Sequence, residues 1–206
     1  MTTRTVHLFI FDTLADWEAG YAIARLNQPE FQKVPHEVRT VGLTRAPVRS
    51  MGGVTMTPDL TLDEVRAEDS AMLILPGGAV WDGEGIPAAV EKARALLAAG
   101  VPVAAICGAT AGLAREGLLD DRDHTSNAAE YLQATGYKGG ARYKQVPAVS
   151  DGNLVTASSI GALEFAREIF TVLDVYPKEV TDAWFGLFKT GEARYFHALM
   201  ELAQQA

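Results

Sequence analysis

One cysteine, Cys107, stands among 206 residues. It cannot close an internal disulfide, so the fold has to be held by its core, and a reducing compartment, the cytoplasm, is the expected setting. Long apolar runs are missing too: no stretch approaches the ~18 residues of a membrane span. The short apolar run at residues 5–11 is followed at once by Asp12 and Asp16, with no small-residue cleavage site, so neither export nor membrane insertion is expected. Positive charge is scarce, 18 Lys and Arg against 26 Asp and Glu, a net charge of −8. With no basic cluster to meet phosphates, nucleic acid and anionic membranes are not expected partners; small molecules or proteins are. Metal signatures are absent as well, because the four histidines are scattered and Cys107 has no CxxC mate. Gly77 and Gly78 lead into neither a GxGxxG pattern nor a Walker lysine, so they do not form a phosphate loop.

What is present is an ordinary globular composition, 48% hydrophobic and 21% charged, in a chain long enough for one large domain expected over residues 1–206. No repeat, low-complexity tract or linker interrupts it. Short β-like runs alternate with amphipathic segments. Strands are expected at 5–11, 36–43, 71–78 and 101–107, and helices at 16–28, 86–100, 108–117 and 161–176, with a further segment at 128–136. A hairpin and short helix are expected within 50–65, a strand pair turning at Asp151-Gly152 within 145–158, and one or two closing helices after Pro177. Unbroken apolar strands joined by helices are the pattern of a mostly parallel sheet in an α/β fold. Buried packing is the ordinary role for Trp17, Trp81 and Trp184.

In such a sheet, ligands sit beyond the carboxyl ends of the strands. Two motifs fall there: Leu75-Pro76-Gly77-Gly78, and Ile106-Cys107-Gly108-Ala109. A lone cysteine in an apolar sequence is ordinarily inert core. Cys107, however, ends a strand and opens a helix, where a sharp turn exposes the side chain and the helix N-terminus favours a thiolate. The backbone N–H groups of Gly77, Gly78 and Gly108 are the candidate oxyanion donors. Small residues at 108, 109, 111 and 112 let that helix press close to the sheet.

Taken together, LILPGG, then VAAICGATAGLAREGLLDDRDHTSN about thirty residues on, with FDTLADWEAGYA before and LVTASSIGALEFAREI after, resemble the ThiJ/PfpI superfamily, which shares its nucleophile elbow with class I glutamine amidotransferases. The resemblance implies a flavodoxin-like three-layer sandwich, usually homodimeric, with the cysteine at the elbow and no metal or organic cofactor needed. It also implies an acidic partner from just after the first strand. Asp16 and Glu18 both qualify; the small and turn residues that follow favour Asp16, and Glu18 is the fallback. Many relatives place a histidine directly after the cysteine or at the end of a threonine-rich turn about twenty residues on. Here those positions hold Gly108 and Asn127, which argues against a Cys–His dyad. His124, three residues earlier, has two readings of equal standing, as a pocket residue or as one bonded to the backbone of its own turn.

The expected function is therefore attack by Cys107 on a small electrophile, as in a glyoxalase or deglycase, an amidase-like hydrolase or an isonitrile hydratase-like enzyme. The alternative is a non-enzymatic oxidative-stress sensor or chaperone using the same oxidisable cysteine. Glutamine amidotransferase action is disfavoured, since no late His-x-Glu pair completes a triad.

Overall fold

Strands that read as continuous apolar runs need cover on both faces, and the chain supplies it with helices. The computed structural model describes residues 3–205. In chain order its elements are β1 (Arg4–Phe9), α1 (Gly20–Leu26), β2 (His36–Gly42), β3 (Val48–Arg49), β4 (Thr55–Met56), β5 (Leu60–Thr61), β6 (Met72–Leu75), α2 (Pro87–Ala98), β7 (Val103–Ile106), α3 (Gly108–Arg115), α4 (Ala129–Gln133), β8 (Ala148–Asp151), β9 (Leu154–Ala157), α5 (Ala162–Val172), α6 (Lys178–Thr190) and α7 (Ala193–Ala203). Seven strands form one sheet in the order β5-β2-β1-β6-β7-β9-β8, parallel except for β8, which turns back against β9. This is the mostly parallel, three-layer flavodoxin-like arrangement expected from the alternating pattern. Every residue of β6, β7 and β9 is buried, the reason these strands lack polar alternation.

From β1 the chain moves outward to β2 and β5 on one side, then crosses to β6, β7 and β9 on the other. That reversal opens a crevice at the carboxyl ends of β1, β6 and β7. Residues 12–18, Gly77-Gly78 and Cys107 all emerge there. No helix among the described residues is long and apolar enough to cross a membrane.

One local expectation is corrected. The helix expected from residue 16 begins at Gly20, and residues 12–19 form turns instead. The cause is tertiary: both carboxylates accept hydrogen bonds from a segment more than thirty residues on, and those bonds override the local helical spacing. Asp12 Oδ1 accepts the Arg49 N–H at 2.8 Å, and Asp16 accepts the Ser50 hydroxyl and, at 2.6 Å, the Gly52 N–H. These bonds tie the turn to the β3–β4 hairpin. Trp17 also departs from expectation: Trp81 and Trp184 are buried, whereas Trp17 is 51% exposed.

Candidate active site

Cys107 occupies the single residue between β7 and α3, with φ 58° and ψ −124°. An L-residue held there costs about 1–3 kcal/mol and persists only where its surroundings enforce it. They do. Its N–H bonds Ala157 O of β9 at 2.9 Å, and its carbonyl accepts the Thr110 N–H at 3.1 Å and the Thr110 hydroxyl at 2.6 Å. A Cβ on Gly77 would stand 2.6 Å from Cys107 Cβ and 2.7 Å from Glu18 Oε2, so only glycine fits beneath the pair. A Cβ on Gly108 would meet Trp81 Cβ at 2.9 Å. The small residues of α3 thus make room for the buried Trp81 indole, whose N–H bonds Pro76 O at 3.0 Å and braces the Pro-Gly-Gly turn.

Two carboxylates leave the same turn in opposite directions. Asp16 is exposed and spent on the hairpin, so the preference for it as the partner of the cysteine is corrected. Glu18 is 1% exposed and lies with the sulfur over Gly77. Its Oε2 accepts the Gly77 N–H at 2.5 Å, while its Oε1 has no hydrogen-bond partner among the described residues. Burial pushes the Glu18 carboxyl up to about 7, against the opposing pull of the Gly77 N–H and of Cys107. Burial also pushes the Cys107 thiol up to about 11; Asn127 pulls it down, the Glu18 charge pushes it up further, and the Gly108 N–H opposes. A carboxyl poised near neutrality beside a thiol is a pair that can pass one proton between its members.

The third side of the crevice is the turn at 124–127. Asn127 Nδ2 donates to Cys107 Sγ at 3.3 Å, and Asn127 Oδ1 accepts the Ser159 N–H at 2.9 Å. Asn127 holds the position at which the family resemblance implies a histidine in many relatives; that spacing is the signal for a residue not put forward as a site member from sequence. His124 does not approach the sulfur. It is fully buried, its Nδ1 bonded to Arg122 O at 2.8 Å and its Nε2 to the Tyr137 hydroxyl at 3.0 Å, with Tyr137 and Tyr143 packed edge-on. Of its two readings the structure takes the one in which it bonds its own turn, since both ring nitrogens are occupied. Among the glycine donors, Gly77 is spent on Glu18, which corrects its assignment to an oxyanion site. Gly78 and Gly108 donate to no backbone oxygen among the described residues. A cleft lined by Arg4, Asp69, Gly100 and Pro102 among others lies at the amino ends of the strands, opposite Cys107.

The model of the DJ-1/PfpI family matches residues 4–172. The chain belongs to the DJ-1/PfpI family. A Bacillus subtilis relative that bears the name Uncharacterized protease YoaZ is 43% identical over 205 residues, spanning 97% of this chain and 98% of its own length. Deglycase PfpI of Pyrococcus furiosus is 31% identical over 140 residues, 67% of this chain and 83% of that protein. The crystal structure of a thiJ/pfpI family protein from Bacillus anthracis superposes with a TM-score of 0.92 at 44% identity, covering 98% of this chain and 97% of that one. The strained elbow, the Gly-Gly turn and the buried glutamate all lie within the part of the chain that the DJ-1/PfpI model matches.

Proposed function

We propose that this DJ-1/PfpI protein is a cysteine-dependent hydrolase of small carbonyl compounds and their adducts. The observation that carries the reading is Glu18: a buried carboxyl with one oxygen unpartnered, set beside a sulfur on a strained turn. Burying such an oxygen costs free energy that packing alone does not return, so the arrangement serves the sulfur. The names of relatives, two of them proteases and four deglycases, support the hydrolytic class.

In the proposed reaction Cys107 Sγ attacks the carbonyl carbon. The S–C bond forms, the C=O π pair moves to oxygen, and the thiol proton passes to Glu18. The N–H groups of Gly78 and Gly108 hold the oxyanion. With an amide or ester the intermediate collapses with loss of the amine or alcohol, which takes the proton from Glu18; with methylglyoxal, which has no leaving group, the oxyanion takes that proton, and Glu18 then removes the C1–H proton and returns it to C2 while the O1–H proton passes to O2, so that C1 becomes the acyl–sulfur carbon. Water then adds to the acyl–sulfur carbon, the S–C bond breaks, and the water's proton returns to sulfur. The test is to follow methylglyoxal, the methylglyoxal adduct of a thiol, simple amides and isonitriles with wild type and Cys107→Ser. Turnover by wild type alone is expected; equal rates for both would overturn the reading.

A second reading rests on the same donors. Peroxide would convert the thiolate to sulfenate with loss of water, and a second peroxide to sulfinate with another; the Glu18 carboxyl, Asn127 and the Gly108 N–H would then hold its oxygens. Intact-mass analysis during peroxide titration tests it: oxygen appearing on the methionines before Cys107 would count against a sensor.

A further inference from the structure

We infer that Asn127 is a catalytic residue of this chain, the neutral amide donor that stabilises the sulfur anion of Cys107 while Glu18 alone carries the proton. The inference deepens the hydrolase reading and rests on it.

The amide is built to present a donor. Its oxygen is taken by the Ser159 N–H at 2.9 Å, so reversing the amide would set its NH2 against that N–H. Nδ2 is therefore the atom that faces Sγ, at 3.3 Å. Both supports of the amide are held in turn. Ser159 O accepts the Trp17 indole N–H at 3.2 Å, and the preceding Ser158 N–H bonds Pro147 O at 2.9 Å. On the other side, Ser126 shares a 2.6 Å hydrogen bond with Thr110 of the elbow, and the Thr125 N–H bonds Thr156 Oγ1 of β9 at 2.9 Å. The turn thus delivers Asn127 to the sulfur while its histidine stays packed behind.

A primary amide donates a hydrogen bond but neither takes nor releases a proton near neutral pH. An imidazolium at this place would populate the thiolate by charge. Among the described residues, the groups acting on Cys107 are Asn127, Glu18 and the Gly108 N–H, and none is a cation. Activation then follows one route. The S–H bond breaks, its proton forms an O–H bond on Glu18, the electron pair stays on sulfur, and the Asn127 N–H bond persists and strengthens on the anion.

Alkylation by iodoacetamide tests this without any substrate, and the single cysteine makes intact mass unambiguous. Asn127→Asp keeps an oxygen for Ser159 N–H but turns an acceptor toward the sulfur, so a purely structural role would survive it. The expected result is a thiolate titration midpoint moved to higher pH and, at about pH 8, alkylation at least about tenfold slower. Asn127→Ala should shift both in the same direction by a smaller factor, and it decides the matter should the aspartate variant fail to fold. Alkylation with an unmoved midpoint and a rate within about twofold of wild type in the folded variant would overturn the role. Wild-type inactivity toward every carbonyl substrate would instead remove the hydrolase reading and leave the alkylation result standing.

Discussion

Two buried ionisable clusters flank the carboxyl ends of the strands, and their hydrogen-bond accounts differ. Around His124 every polar atom is used: one ring nitrogen on Arg122 O, the other on Tyr137, and two tyrosine rings close the sides. Around Cys107 the account is left open, with a backbone in a disfavoured region and, among the described residues, a Glu18 oxygen unpartnered and the Gly78 and Gly108 N–H groups given to no backbone oxygen. A closed cluster lowers the energy of one structure. An open one is held under cost by its neighbours and keeps donors, an acceptor and a proton for a guest.

The sharpest way to break this contrast is Cys107→Ser, expected to lower kcat/KM by about a thousandfold or more in the carbonyl assay, because a hydroxyl lacks the thiol's nucleophilicity. Glu18→Gln comes next, with kcat/KM down about a hundredfold while the protein gains stability above neutrality. The sign follows from the raised carboxyl. Stability contributed by protonated Glu18 is fully present below its ordinary 4.5 and is lost as pH rises through about 7. Chemical denaturation at about pH 8 should therefore show the Gln variant more stable than wild type by up to about 3 kcal/mol, and equal at about pH 4. A variant less stable than wild type at the higher pH would contradict the open account.

His124→Phe should do the reverse, lowering stability by about 2–3 kcal/mol, because Arg122 O and Tyr137 lose their partner. The folded fraction should keep kcat/KM within about threefold. Burial, opposed by the Arg122 carbonyl, holds the His124 imidazole below its ordinary 6.5, so its contribution is present above 6.5 and lost as pH falls. His7 and His36 share that direction, also through burial first, so the Phe variant should flatten only part of the acid-side slope in a denaturation series. The smallest effect is expected for Asp16→Asn, about 1 kcal/mol or less, from a weakened tie to the β3–β4 hairpin, with kcat/KM within about threefold. A hundredfold loss there would return Asp16 to the site.

The strand and helix order was legible because burial on both faces writes apolar runs directly into sequence, as in β6 and β7. Proline in the first turn and glycine after the last turn likewise marked α2, whose Gly100 adopts φ 82°. The start of α1 was not legible. Asp12 and Asp16 find acceptor roles on Arg49, Ser50 and Gly52, more than thirty residues on, and those partners override the local helical spacing. The choice between Asp16 and Glu18 failed for the same cause, since neighbouring small residues say nothing about which carboxylate faces a glycine from another strand. Gly77 shows it again: its N–H could be assigned to an oxyanion until Glu18 came back across the sheet to claim it.

Cys107, Gly108 and the Pro-Gly-Gly turn are positions where chain chemistry alone dictates the outcome: a strand must end, a helix must start, and only small residues fit the close approach. Which carboxylate is buried, which histidine is satisfied and which amide meets the sulfur depend on partners brought together by the crossovers between β1, β6, β7 and β9. The physical reason is range. Backbone sterics act over a few residues, whereas desolvation and hydrogen-bond pairing act on whatever the fold sets side by side.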